Sequence, residues 1–256
     1  MQQSELISLI EQTAPLHLAA SWDHSGIQVA AMRQDITLLA VCLDPTAAAI
    51  RAALDVGADM VLTHHPLSMQ PRFLDKLDSY HEIAGLLMGA QAPLYSAHTS
   101  LDANPQGPVG WLARELALQN LRVLEPVTPD NTYGFGVCGT LSQPLSPSDL
   151  YAFLSPWRGN SNITLAGPEM PQAISTLAIC PGSGSSMLEH AADLGAEVMI
   201  TGDVKYHTAL ESPIATMDVG HFMLEEEMMR RFAAELSASV PVHFIPGSDP
   251  LRPGIF

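Results

Sequence analysis

The 25 residues LAVCLDPTAAAIRAALDVGADMVLT at 39–63 align without a gap to LAICPGSGSSMLEHAADLGAEVMIT at 177–201, with eight identities at a constant offset of 138. Each copy reads as a short apolar run, a helix-like stretch closing on glycine, and a second apolar run. Strand, helix and strand within about 30 residues make the βαβ unit of a parallel or mixed sheet covered by helices. Cys42, Asp55, Gly57 and Thr63 recur as Cys180, Asp193, Gly195 and Thr201. Duplicated βαβ units account for this better than coincidence, although α/β proteins also reuse apolar strands and Ala/Gly-rich helix ends. The expected fold class is α/β, with two similar lobes.

Around the copies, the first residues read as a helix as far as about Leu18, and SWDHSGIQV as a polar loop. HEIAGLLMGAQAPLYSAHTSLD reads as a helix and a short strand ending near His98 and Asp102. WLARELAL is a further helix and YGFGVCGTL a further strand. A boundary near residues 125–130 divides the chain into lobes 1–125 and 126–256, with the final segment free to cross over. With 47% hydrophobic residues, 256 positions suffice for one sizeable core or two smaller ones sharing an interface.

The 27 acidic side chains against 11 basic ones give a formal charge of −16. No basic stripe is available to replace the counterions of a phosphate backbone, which disfavours duplex nucleic acid. A local nucleotide site or a metal site stays open, because a bound cation dominates its own surroundings. No signal-peptide pattern and no apolar stretch of roughly 20 residues is present, so no membrane association is expected and the expected location is cytoplasmic. The three cysteines, Cys42, Cys138 and Cys180, form no CxxC or Cys-His pattern and read as thiols rather than a disulfide framework.

The two copies differ after their second strand: THHP follows the first and GDVKYH the second. Ligands of open α/β sheets collect beyond the carboxyl ends of strands, which is where both tails fall. His64 and His65 can be turn residues, or imidazole ligands for Zn, Fe, Ni or Co, with a bend at Pro66 keeping them off opposite faces of a continuing strand. In SAHTSLD, Asp102 suits a ligand able to bridge two ions. His98 suits either a ligand or a proton carrier beside them, and a capped loop is the plainer reading of both.

In MDVGHFMLEE, His221 and Glu225 stand four residues apart, which puts both on one face of a helix. An exposed His/Glu pair is the alternative, but the two upstream clusters favour coordination, and Glu225 can also bridge ions or orient a water. Asp203 is read as a partner of an ion or of a ligating histidine, Lys205 as a holder of an anionic substrate, and His207 as a proton carrier, against a solvated loop. Trp22, Asp23, His24 and Gln28 could line the same pocket. No Walker loop, GxSxG elbow or HExxH helix occurs, and GSGSS at 182–186 is a weak phosphate signal alone.

SWDHSGIQV, VLTHHPL, YSAHTSLDA, TGDVKYH and MDVGHFMLEE, in this order and spacing, resemble the GTP cyclohydrolase 1 type 2 homolog family, the Nif-like dinuclear metal proteins. The resemblance spans essentially the whole chain. It implies two similar lobes with two divalent metal ions per subunit in the cleft between them, Fe, Zn, Mn, Ni or Co all being compatible. By motif it assigns His64, His65, Asp102, His221 and Glu225 as metal ligands and places His98 beside the ions. It further implies a homohexamer built as a trimer of dimers. His24 and Ser100 depart from the asparagines of the family pattern.

The expected function is metal-dependent hydrolysis of a small molecule, with a nucleotide or cyclic C–N bond as the expected target. Glu225 would orient water, and His98 and His207 would move protons. The competing reading is a metal-bound scaffold or regulatory binding protein without turnover.

Overall fold

The computed structural model describes residues 1–157 and 163–251. The chain forms two compact units: Met1–Ala103 with Met228–Ser248, and Asn104–Glu227 with the residues from Asp249.

The first unit opens with α1 (Gln3–Thr13), which ends just before Pro15, and a 3-10 turn at Leu16–Leu18. The expected helix to Leu18 is thus broken where proline disfavours helical backbone in the residue before it. There follow β1 (Gly26–Val29), β2 (Leu39–Cys42), α2 (Ala47–Asp55), β3 (Met60–Thr63), α3 (Ser79–Ala90), β4 (Leu94–Ser96) and the short α4 (Thr99–Asp102). SWDHSGIQV is therefore not all loop: its last residues form β1, an edge strand antiparallel to β4.

The second unit contains α5 (Trp111–Glu115), β5 (Gln119–Pro126), β6 (Gly134–Leu145), α6 (Pro147–Leu154), β7 (Thr164–Ala166), β8 (Ile174–Ile179), α7 (Leu188–Asp193), β9 (Val198–Thr201), α8 (Tyr206–Glu211) and β10 (Ala215–Asp218). The residues of α9 (Phe222–Leu236) fall partly in each unit's range, and β11 (Val242–Phe244) belongs to the first.

The strand orders are β1-β4-β3-β2-β11 and β5-β6-β8-β9-β10-β7. The runs β1-β4-β3-β2 and β7-β10-β9-β8 match: three parallel strands bordered by one antiparallel strand. The 138-residue offset is kept at the level of single hydrogen bonds. Asp59 accepts from the amides of Thr37 and Leu38, at 2.8 and 3.2 Å. Glu197 accepts from the amides of Ser175 and Thr176, at 2.6 and 2.9 Å.

Each copy's helix ends the same way. The amide of Ala58 donates to Ala53 and that of Ala196 to Ala191, with Gly57 and Gly195 at φ +82° and +80° between. That left-handed turn satisfies the last carbonyls and is open to glycine at little cost.

Both second strands bury every residue, MVLT in β3 and VMIT in β9, as expected of central parallel strands covered on both faces. Ala40, Val61, Ile50, Leu87 and Leu94 form the core under α2 and α3, and Ala178, Leu188, Ala191 and Met199 the corresponding core under α7. Thr46 caps α2, its hydroxyl accepting from the Ala49 amide. Among the described residues no helix is long and apolar enough to cross a membrane.

Candidate metal centre

Strand β3 stops at Thr63, and the chain bends so that the amides of both His64 and His65 donate to one acceptor, the Leu43 carbonyl, at 3.1 Å. The Ser96 hydroxyl holds the His64 carbonyl and the Thr63 hydroxyl that of His65, at 2.6 and 2.7 Å. This clamp replaces strand alternation, so adjacent side chains stay together. Their ring centroids are 5.0 Å apart, and His98, just beyond β4, lies 5.1 and 5.6 Å from them. One ring nitrogen from each of the three falls within 4.8 Å of the others, a group able to hold a metal ion.

The tautomers follow from the partners. His64 Nδ1 lies 2.8 Å from the Ala97 carbonyl, which can only accept, so Nδ1 carries the hydrogen and Nε2 the lone pair. His65 Nδ1 is 2.7 Å from Asp44 Oδ1, and His98 Nδ1 is 2.7 Å from Asp23 Oδ1. With a carboxylate accepting at each Nδ1, the Nε2 atoms of His65 and His98 likewise carry the lone pair. Imidazoles in metal sites are oriented by this kind of outer partner.

Asp102 ends α4 rather than a strand; its Oδ1 lies 3.7 Å from His64 Nε2. Asp23 is fully buried as a side chain. Burial opposes its charge, but hydrogen bonds from His98, Ser25 and Thr99 outweigh it and hold the carboxyl well below the usual range. Trp22 is exposed, with its ring edge-on to His98 at 6.1 Å. Ser100 is fully buried, and its hydroxyl has no hydrogen-bond partner among the described residues.

In the second unit His221 immediately precedes α9, and its Nε2 lies 2.9 Å from Glu225 Oε2. The i, i+4 approach expected of one helix face therefore forms from the residue before the helix. His221 Nδ1 lies 2.7 Å from Asp203 Oδ2. Hydrogen bonding to Glu225, with Asp203 adding to it against the penalty of burial, raises the His221 pKa to about 9. His207 is exposed on α8 with its ring 5.3 Å from that of Tyr206, and Lys205 is exposed before the same helix.

Gly182 sits against this pair. A Cβ built on it would come within 2.1 Å of Glu225 Oε1 and 3.5 Å of His221 Cε1, and its φ is +66°. At the repeat offset Gly182 is the counterpart of Asp44, the partner of His65. One copy uses this strand-end position for a carboxylate and the other leaves it empty for Glu225.

A family model described as Duf34/NIF3 (NGG1p interacting factor 3) matches residues 1–250. The chain belongs to this family. A Clostridium perfringens relative named GTP cyclohydrolase 1 type 2 homolog is 30% identical over 230 residues, covering 88% of this chain and 87% of the relative. A Streptomyces coelicolor relative of the same name is 28% identical over 243 residues, covering 91% and 85%. A structure described as reduced HcgD from Methanocaldococcus jannaschii superposes with TM-score 0.82 at 28% identity, over 95% of this chain and 97% of that one. Staphylococcus aureus SA1388, at TM-score 0.86 and 23% identity over 98% and 99%, shares the fold.

In this NIF3-family chain the sequence motifs bring forward the candidate histidines and acids, and Asp203 as a histidine partner, but not the other groups that hold the rings. Asp44, the Ala97 carbonyl, Asp23 as the partner of His98, and Gly182 do not stand out for those roles in the sequence. Asp44 lies two residues past β2, so the strand-end rule reaches it. Gly182 follows from aligning the copies once Asp44 is known.

A cavity of about 320 Å³ borders the first unit's cluster, with Asp44, His65, Arg72 and Tyr80 in its wall.

Proposed function

We propose that this NIF3-family chain is a dinuclear metal-dependent hydrolase, with His64, His65, Asp102, His221 and Glu225 as ligands of two divalent ions per subunit. The observation that carries the reading is the repeated orientation of imidazoles: Nδ1 of His64, His65 and His221 each meets an oxygen acceptor, which leaves Nε2 for coordination. Nitrogen and carboxylate donors suit Zn, Fe, Mn, Ni or Co, and the donor types fit such ions. Bound ions would supply Lewis acidity, polarising the scissile group and acidifying water.

The chain's own residues would do the rest. Ala97, Asp44 and Asp203 fix ring orientation. Asp23, kept ionised, holds His98 by Nδ1 so that Nε2 can take or give a proton, and stabilises the imidazolium that results. Glu225 would orient the attacking water, and His207 would serve as a second proton carrier. Burial of His64 and Glu225 limits bulk water around the ligating atoms.

The relatives' printed name supports a nucleotide or a cyclic C–N bond as the target. The oligomer in this reading is a hexamer, a trimer of dimers, and the location the cytoplasm. The test is reconstitution with each ion, elemental analysis, and a screen of nucleotides, cyclic amides and phosphoesters. Turnover that disappears in His64→Ala and Glu225→Ala supports hydrolysis. Saturable binding without turnover across the screen supports a non-catalytic scaffold instead.

A further inference from the structure

We infer that the cavity beside His65 is an anion-recognition pocket, in which the Arg72 guanidinium takes the phosphate or carboxylate of a small aromatic or heteroaromatic molecule. This assignment rests on the hydrolase reading for its place next to the reacting centre.

The volume of about 320 Å³ is at the lower end of small-molecule sites. Its wall combines two polar groupings with apolar side chains, including Leu67 and Ile83. One grouping is His65 with Asp44, joined at 2.7 Å. The other is Arg72, whose guanidinium carbon lies 4.7 Å from the centre of the Tyr80 ring. Contact with that ring and the Asp78 carboxylate restrains the guanidinium, so less freedom is lost when it grips a planar oxyanion. Among the described residues only Nη2 of Arg72 is engaged, by Asp78 Oδ2, and the fork retains donors at Nε and Nη1.

The chain has 11 basic side chains against 27 acidic ones. Its long-range field repels anions, so an anionic ligand needs a local cation, and a guanidinium in the cavity wall supplies one. The Tyr80 ring and the apolar wall favour a flat unsaturated body over a bare ion.

Asp78 gives the pocket an internal competitor and the test its sign. It holds Arg72 and also caps α3, accepting from the His81 amide at 3.1 Å. Asparagine keeps the cap and removes the charge that competes with an incoming anion.

The probes are phenyl phosphate and phenol, titrated into the full-length protein both zinc-loaded and chelator-treated, with ³¹P relaxation for the phosphate ester and ligand proton relaxation for both. In chelator-treated protein, phenyl phosphate should bind at least about tenfold more tightly than phenol. Arg72→Met should weaken it about 10- to 100-fold, the range for a charged hydrogen-bonded pair, and Asp78→Asn should tighten it. Loss of fold cannot produce the tightening.

Equal affinity for the two probes, indifference to Arg72→Met, or weakening by Asp78→Asn would each overturn the assignment. Failure of the protein to take up any ion would sink the hydrolase reading while leaving an Arg72-dependent phosphate site intact. Binding that needs zinc and ignores Arg72 would do the reverse.

Discussion

Replacing Gly182 by alanine separates two costs that the structure keeps apart. The first is conformational: at φ +66° a Cβ meets the backbone, which costs about 1–2 kcal/mol for an L-residue. The second is local: the new methyl would sit 2.1 Å from Glu225 Oε1, so the carboxylate has to leave its position. Gly195 is the control, with φ +80° and nothing within 4 Å of the point where a methyl carbon would sit. Gly195→Ala should carry the conformational cost alone.

Gly195→Ala should therefore lose about 1–2 kcal/mol in urea unfolding of the metal-free protein, and Gly182→Ala at least as much, because its methyl also disturbs the Glu225–His221 pair. Only Gly182→Ala should lose metal affinity. Displacing a ligand costs at least what losing an outer partner does, about 10- to 100-fold, or about 1.4–2.7 kcal/mol. Chelator-competition titration reads this directly. Equal metal affinity in the two variants would refute the claim that Gly182 makes room for a ligating Glu225.

Asp44→Ala and Asp203→Ala remove the acceptors at Nδ1 of His65 and His221, and each should weaken metal binding about 10- to 100-fold by chelator competition. Coordination needs neutral His221, whose pKa is raised to about 9 in the metal-free protein by Glu225 and Asp203. Apparent affinity should thus climb with pH, by up to about tenfold per unit, and level off near pH 9, whereas a flat profile from pH 6 to 9 would exclude this coupling. Folding stability runs the other way: a raised folded pKa stabilises fully below the unfolded value of 6.5 and is lost as pH rises through about 9. Melting of metal-free Glu225→Gln should show less of that loss. Asp59→Ala strips an acceptor from the Thr37 and Leu38 amides and a partner from Arg33, and should destabilise by about 1–3 kcal/mol in urea.

The repeat was legible because its parts are local. Four consecutive buried residues in β3 and β9, a helix between, and a glycine after it are all fixed by near neighbours in sequence. β5 was hidden because QNLRVLEP lies at a sheet edge and exposes most of its residues, so no apolar run announces it. β1 was hidden similarly, as four residues behind a polar stretch. At the site, His221 and Glu225 could be paired from an i, i+4 spacing. Asp44 and His65 could not, since their 2.7 Å contact depends on β2 lying beside β3 in the sheet. Gly182 carries no side chain to attract notice; its meaning comes from the carboxylate that fills the space.

Anomalous scattering from crystals of the reconstituted protein, recorded at each metal's absorption edge, bears most closely on the dinuclear reading. Two ions per chain, coordinated by His64, His65, Asp102, His221 and Glu225, are the predicted result. No ion after reconstitution, or ions held by other residues while these five stay uncoordinated, would contradict it.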